Sequence, residues 1–279
     1  MAIRTIAVLI DTSPAYETRI AYAISLAARH DAHLVGILLL PSELTQHPAS
    51  SYVRGQAAIA DLLHHQEARN RTIGEQARAV FNKLAEQWNV RGEFRVDMPH
   101  GDDERRLGSL HADLVVAAPP KDHESEDGLP SDAVQLATGV PFLLVPDSWH
   151  RTEPPQHVLI GWNASRESRR AVGDALPLLA MASSATILLV DPPSSALQSE
   201  EPGVEVAMFL LRHGVRLTVA PVSSQGKAIA DVIAEYASSN GHDLIVLGAY
   251  SHARIREIMF GGVTRSLLIH ASIPLLISH

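Results

Sequence analysis

Residues 6–13 read Ile6-Ala-Val-Leu-Ile-Asp11-Thr-Ser13, and residues 158–165 read Val158-Leu-Ile-Gly-Trp-Asn163-Ala-Ser165. Each begins as a short apolar run and ends on a polar residue, a small residue and a serine. An offset of 152 places Asp11 on Asn163 and Ser13 on Ser165. Two further matches follow in the same order. Asp113-Leu-Val-Val-Ala-Ala118 pairs with Asp243-Leu-Ile-Val-Leu-Gly248, and Val140-Pro-Phe-Leu-Leu-Val145 pairs with Ile273-Pro-Leu-Leu-Ile277. Three ordered matches make the chain two copies of one unit in tandem.

Each copy alternates short apolar runs with longer helical patterns. Strands are expected near 4–10, 33–40, 92–97, 113–118 and 141–145, then near 157–162, 185–190, 215–220, 243–248 and 273–278. After the first strand, Ser13 is placed to cap a helix that opens with Pro14, and Ile20, Ala23, Ile24 and Ala27 recur at helical spacing. A long helical stretch covers 53–88, with Ala77, Phe81 and Leu84 on its core face. In the second copy helices are expected near 166–181, 200–213, 225–239 and 262–270. Alternating strands and helices imply α/β units with parallel strands and right-handed crossovers. The proline-rich segment from Pro146 to Gln156 reads as the linker, which divides the chain into domains 1–149 and 150–279.

Composition narrows the function. The chain is 46% hydrophobic and only 5% aromatic, a balance suited to Val/Leu/Ile-rich parallel strands under helices. It has no cysteine, which excludes disulfides and thiolate metal sites. Its fifteen histidines include no His-Glu-x-x-His pair, so no built metal site is expected. The net charge of −8 is unevenly spread: residues 1–150 carry 13 basic against 20 acidic side chains, and residues 151–279 carry 10 against 11. Neither copy offers the basic patch of a nucleic-acid binder. No apolar run approaches the roughly 20 residues of a membrane span, and no secretory leader opens the sequence, so a soluble cytoplasmic protein is the expectation.

Parallel sheets bind ligands beyond the carboxyl ends of their strands, where strand order reverses. In the second copy that places Asn163, Asp191, Pro221 and the segment from Gly248 at the site. The segment reads Gly248-Ala-Tyr-Ser251-His-Ala-Arg254-Ile-Arg256-Glu-Ile-Met-Phe-Gly261-Gly262-Val-Thr264-Arg265. Glycines admit close backbone approach, and a helix N-terminus attracts phosphate. Ser251 and Thr264 add hydroxyls, and the arginines add positive charge. The same residues also read as a plain helix start with Thr264 near the cap. The corresponding loop of the first copy has Pro119 and Pro120 in place of N–H donors, and Glu124, Glu126 and Asp127 where a phosphate would lie. No triphosphate site is expected there.

At these residues the chain resembles the universal stress protein family in its tandem form. The family's nucleotide motif is Gly, two residues, Gly, nine residues, Gly, then Ser or Thr. Here Gly248, Ser251, Gly261 and Gly262 keep the spacing, with Ser251 in place of the second glycine and Gly262 in place of the hydroxyl residue. Thr264 stands where a further phosphate-contacting hydroxyl is common. The family's acidic residue on the adenine–ribose side is matched by Asp11, and in the second copy by Asn163. The resemblance implies two Rossmann-like five-stranded sheets of order 3-2-1-4-5, with 141–145 and 273–278 pairing the two copies inside one molecule and room for a further homodimer. It implies an adenine nucleotide, ATP with Mg2+, held in the second copy by Asn163, Ser165, Val190, Gly248, Ser251, Gly261, Gly262 and Thr264. The alternative is a scaffold or small-molecule-binding member that holds no nucleotide. No nucleophile stands beside a base, so a dedicated enzyme is not expected. Slow ATP hydrolysis, which needs mainly positioning and a metal, stays compatible with the sequence.

Overall fold

The structure is a computed structural model. It describes residues 2–40, 56–97, 111–119, 139–192, 203–249, 263, 266–268 and 272–278, with the side chains of 56–63 and 97 left aside. The first half contributes β1 (Thr5–Ile10), α1 (Tyr16–His30), β2 (His33–Leu39), α2 (Gln56–Gln87), β3 (Gly92–Asp97), β4 (Leu114–Ala117) and β5 (Phe142–Leu144). The second contributes β6 (His157–Gly161), α3 (Arg166–Leu179), β7 (Ser184–Val190), α4 (Val204–Arg212), β8 (Leu217–Val222), α5 (Ile229–Ser239), β9 (Leu244–Gly248) and β10 (Leu275–Ser278). All ten expected strands are present. The helix expected near 262–270 lies mostly outside the described residues, of which 263 and 266–268 are helical.

The two expected five-stranded sheets are joined edge to edge through β5 and β10. The strands form one ten-stranded sheet of order β3-β2-β1-β4-β5-β10-β9-β6-β7-β8. Each half keeps the 3-2-1-4-5 order, and all pairings within a half are parallel. The halves meet where β5 and β10 pair antiparallel, Phe142 opposite Ile277 and Leu144 opposite Leu275. Both strands are fully buried. As edges they would leave unpaired backbone groups beside apolar side chains, and pairing them removes both edges at once.

Helices cover both faces. On one, Ile20 and Ile24 of α1, Phe81 of α2, Val172 of α3 and Leu210 of α4 share a core. On the other, Ile233 and Ala237 of α5 pack with Leu267 and Leu268. The docking of α2 depends on a missing side chain: a Cβ at Gly36 would stand 2.8 Å from the Phe81 ring.

The start of α1 differs from expectation. Its N-cap is Ala15 and no side chain caps it, so Ser13 and Pro14 lie outside the helix. The Ser13 hydroxyl is instead engaged by Asp11, 2.8 Å away, and by Arg19. In α3 the matching Ser165 does cap, accepting from the Ser168 N–H at 3.1 Å.

The repeated Asp-Leu has a structural cause. Asp113 accepts the Arg4 and Thr5 N–H groups at 2.7 and 2.9 Å. Asp243 accepts those of Gln156 and His157, the latter at 2.8 Å. Each carboxylate sits at the foot of its half's fourth strand and ties down the backbone that enters the first. Asp243 is buried and Asp113 is exposed. Water replaces a lost exposed acceptor more readily than a buried one. Asp243→Ala is expected to lower unfolding free energy by about 1–3 kcal/mol and Asp113→Ala by less, measured by urea denaturation; the reverse order would contradict the clamp.

Candidate functional site

In the second half, β9, β6, β7 and β8 are adjacent and parallel, so their carboxyl ends share one edge of the sheet. The chain leaves β6 for β7 and β8 on one side, then returns to β9 on the other. The reversal falls between β6 and β9, the position where open parallel sheets leave a crevice. Asn163 follows β6 there, and Gly248 ends β9.

The turn after β6 is built from side-chain-to-backbone contacts. Asn163 Oδ1 accepts the Ser165 N–H at 3.2 Å. Between them Ala164 holds φ 57°, a left-handed conformation costing an L-residue about 1–2 kcal/mol. Asn163 is exposed. Its carboxamide oxygen shapes the turn, and its N–H2 has no partner among the described residues. At the end of β7, Asp191 is also left-handed, φ 48°, and accepts the Ser224 N–H at 2.9 Å. The Ser224 hydroxyl and backbone N–H hold the exposed Asp191 carboxyl below its ordinary range. Val190, just before it, is half-buried.

The N-terminus of α3 reaches the same edge, yet its donors are largely used. Ser165 takes the Ser168 N–H, and Glu167 bonds its own backbone N–H. That bond, followed by Arg166, holds the Glu167 carboxyl below its ordinary range. Ser165 is therefore first a helix cap. Gly248 likewise has a structural reason. A Cβ there would lie 2.3 Å from Glu167 C and from Ser168 N, both backbone atoms. Glycine at 248 lets α3 seat on β9, independent of any ligand. Ser251, Gly261, Gly262 and Thr264 lie outside the described residues, as do Arg254, Arg256 and Arg265.

The first half repeats the turn and fills the space above it. Asp11 Oδ1 accepts the Ser13 N–H at 3.3 Å, as Asn163 does for Ser165. Asp11, however, is buried, and Arg19 from α1 lies over it at 2.5 Å. The guanidinium is 1% exposed and also reaches Asp147 at 2.6 Å. Sequence reading did not single out Arg19. The available signal was a charged residue on the apolar stripe of α1, between Ala15 and Ile20. At the same offset of 152 the second half has Ala171, and no guanidinium among the described residues is bonded to Asn163. The acidic loop containing Lys121, Glu124 and Gly128 lies outside the described residues.

Known proteins share this architecture. Residues 155–279 match the family model described as Universal stress protein family. A universal stress protein from Archaeoglobus fulgidus DSM 4304 superposes with a TM-score of 0.67 at 11% identity, covering 98% of this chain and 97% of that one. A putative universal stress protein from Pseudomonas aeruginosa UCBPP-PA14 gives 0.61 at 14% identity, covering 99% and 93%. A functionally unknown protein from Pseudomonas aeruginosa PAO1 gives 0.60 at 14%, covering 99% and 92%. At these identities the likeness establishes the fold. A comparison with curated proteins yields no match. No helix among the described residues is long and apolar enough to cross a membrane.

Two substitutions probe this geometry. Gly248→Ala is expected to destabilise the protein by about 1–3 kcal/mol without ligand, seen as a lower urea midpoint; an unchanged midpoint would remove the helix-seating role. Arg19→Met leaves the Asp11 carboxylate buried without its counter-charge and is expected to cost about 3–5 kcal/mol. Adding Asp11→Asn should recover part of that loss in a double-mutant cycle, whereas additive losses would show that the pair is not coupled.

Proposed function

We propose that the chain is a tandem universal stress protein of two units, 1–149 and 150–279, acting in the cytoplasm. Its second unit binds an adenine nucleotide, ATP with Mg2+, and the protein works through conformation or partner binding. The observation that carries this reading is the contrast between the two first-strand turns: Asn163 is exposed with no arginine among the described residues paired to it, whereas Asp11 is buried under Arg19. Asn163 and Val190 face the base and ribose side in this reading. Gly261, Gly262 and Thr264 cradle the phosphates, with Ser251 and the neighbouring arginines adding donors and charge.

The residues present fit such a ligand. Asn163 has an N–H2 with no partner among the described residues, and the reversal in strand order between β6 and β9 lies beside it. Mg2+ is held mainly by phosphates, with at most one or two side chains, so it needs no dedicated cage. When bound it would neutralise phosphate charge. The protein's own part is to position the base edge and supply backbone donors. Nothing in the described geometry sets a nucleophile beside a base.

A second reading, a scaffold or small-molecule binder that holds no nucleotide, draws on two observations. Gly248 is already required by helix packing. The motif also departs from its family form at Ser251, Gly262 and Asn163.

Ligand that binds only the folded state raises stability by mass action, by about 2.7 kcal/mol at a hundredfold excess over Kd. Thermal unfolding with millimolar Mg-ATP is therefore expected to shift upward by several degrees. Gly261→Asp should abolish the shift, and Gly128→Asp in the first half should leave it intact. No shift in the unsubstituted protein would reject the nucleotide reading in favour of the second.

A further inference from the structure

The sheet has two edges, and the protein treats them differently. At β3 the edge carries Glu93 and Arg95, both exposed and paired at 2.5 Å, beside a single exposed apolar residue, Val96. Charge on an edge discourages association. At the other end, β8 and its covering helix α4 are apolar. Of the eight exposed large hydrophobic residues among those described, five fall here: Val204, Met208, Phe209 and Leu211 on α4, and Val219 on β8. A Cβ at Gly203, the N-cap of α4, would stand 3.7 Å from Val219 Cγ1, so the helix start and the strand residue are neighbours.

Helix α4 reads Val204-Glu-Val-Ala-Met-Phe-Leu-Leu-Arg212. Val206, Ala207 and Leu210 form its buried stripe. A surface helix ordinarily turns polar residues outward. Here the outward face holds four apolar side chains, each 38–51% exposed. Phe209 is braced edge-on by the His213 ring at 4.7 Å.

Charge supplies the occupant. The two charged residues of α4 are Glu205 near its start and Arg212 at its end. Seven residues is two helical turns, so they share one side of the helix. Neither has an ion pair among the described residues. Their midpoint falls between Met208 and Phe209. When a second α4 lies antiparallel across a two-fold axis at that midpoint, Glu205 meets the partner's Arg212, and Arg212 meets the partner's Glu205. Met208 and Phe209 pack at the centre. The pattern is self-complementary, as an isologous contact requires. Pro221 removes one backbone N–H from β8, so the contact uses the helices and does not extend the sheet.

We propose that the outward face of α4 docks a second copy of this chain, the two α4 helices packing antiparallel with reciprocal Glu205–Arg212 pairs. This inference is independent of nucleotide binding. One short helix per partner makes a contact at the small end of specific interfaces, so dissociation on the order of micromolar is expected.

The test is sedimentation velocity of the full chain from about 1 to about 200 µM, with circular dichroism to check folding of each variant. The unsubstituted protein should move from monomer to dimer across that range, and Met208→Glu should remain monomeric throughout. Glu205→Arg and Arg212→Glu should each raise the dimer Kd by about tenfold or more, because two like-charge contacts are created by symmetry. The double variant Glu205→Arg/Arg212→Glu should return the Kd to near its original value. A monomer at every concentration overturns the proposal. So does a dimer that survives Met208→Glu, or a charge-reversed pair that fails to rescue.

Discussion

In each half one carboxylate fixes the point on which the rest of the fold turns. Asp113 and Asp243 stand at the foot of β4 and β9 and hold two successive backbone N–H groups of the chain entering β1 and β6. These are the strands that flank the reversal in strand order. The two N–H groups precede or open the ladder, so no neighbouring strand satisfies them, and an acceptor there sets the register of β1 against β4 and of β6 against β9. Once that register is set, the carboxyl ends of β6 and β9 lie side by side at the reversal. Gly248 then comes against the first turn of α3 at backbone distance.

Above that shared frame the halves diverge through one position on the first helix. Arg19 in α1 lies over Asp11, bridges to Asp147 after β5 and holds the Ser13 hydroxyl. A buried charge persists only when it is paired, and here the pair fills the space over the turn. The guanidinium also fastens α1 to the segment that leads into the second half, where the Ser25 hydroxyl donates to the Thr152 carbonyl. Ala171 in α3 does neither. The second turn keeps the same hydrogen bond from backbone to Asn163 and leaves the carboxamide in solvent. One substitution type thus separates a half consolidated by its own side chains from a half with an open polar edge.

The sheet is one continuous body because β5 and β10 have apolar side chains on both faces and short, fully buried lengths. Pairing them moves the free edges to β3 and β8. One is charged, and the other lies beside the apolar outward face of α4. That difference follows from side-chain chemistry at the periphery and leaves the centre of the fold unchanged.

Much of this was legible in the sequence. The repeat, the ten strands and the helices at 56–87, 166–179, 204–212 and 229–239 follow from hydrophobic periodicity, a local property that the chain carries without its neighbours. The Asp-Leu pairs and the Asp11/Asn163 correspondence were visible as repeated letters, but their work was not. A carboxylate binding N–H groups 108 and 109 positions away has no local signature. Nor did local pattern show that Ser13 would give its hydroxyl to Asp11 and Arg19 rather than cap α1. The seat of Gly248 against α3 and the burial of Arg19 are decisions of tertiary structure. Each depends on which distant backbone or charge arrives beside a residue, and periodicity along the chain fixes only what that residue brings to the meeting.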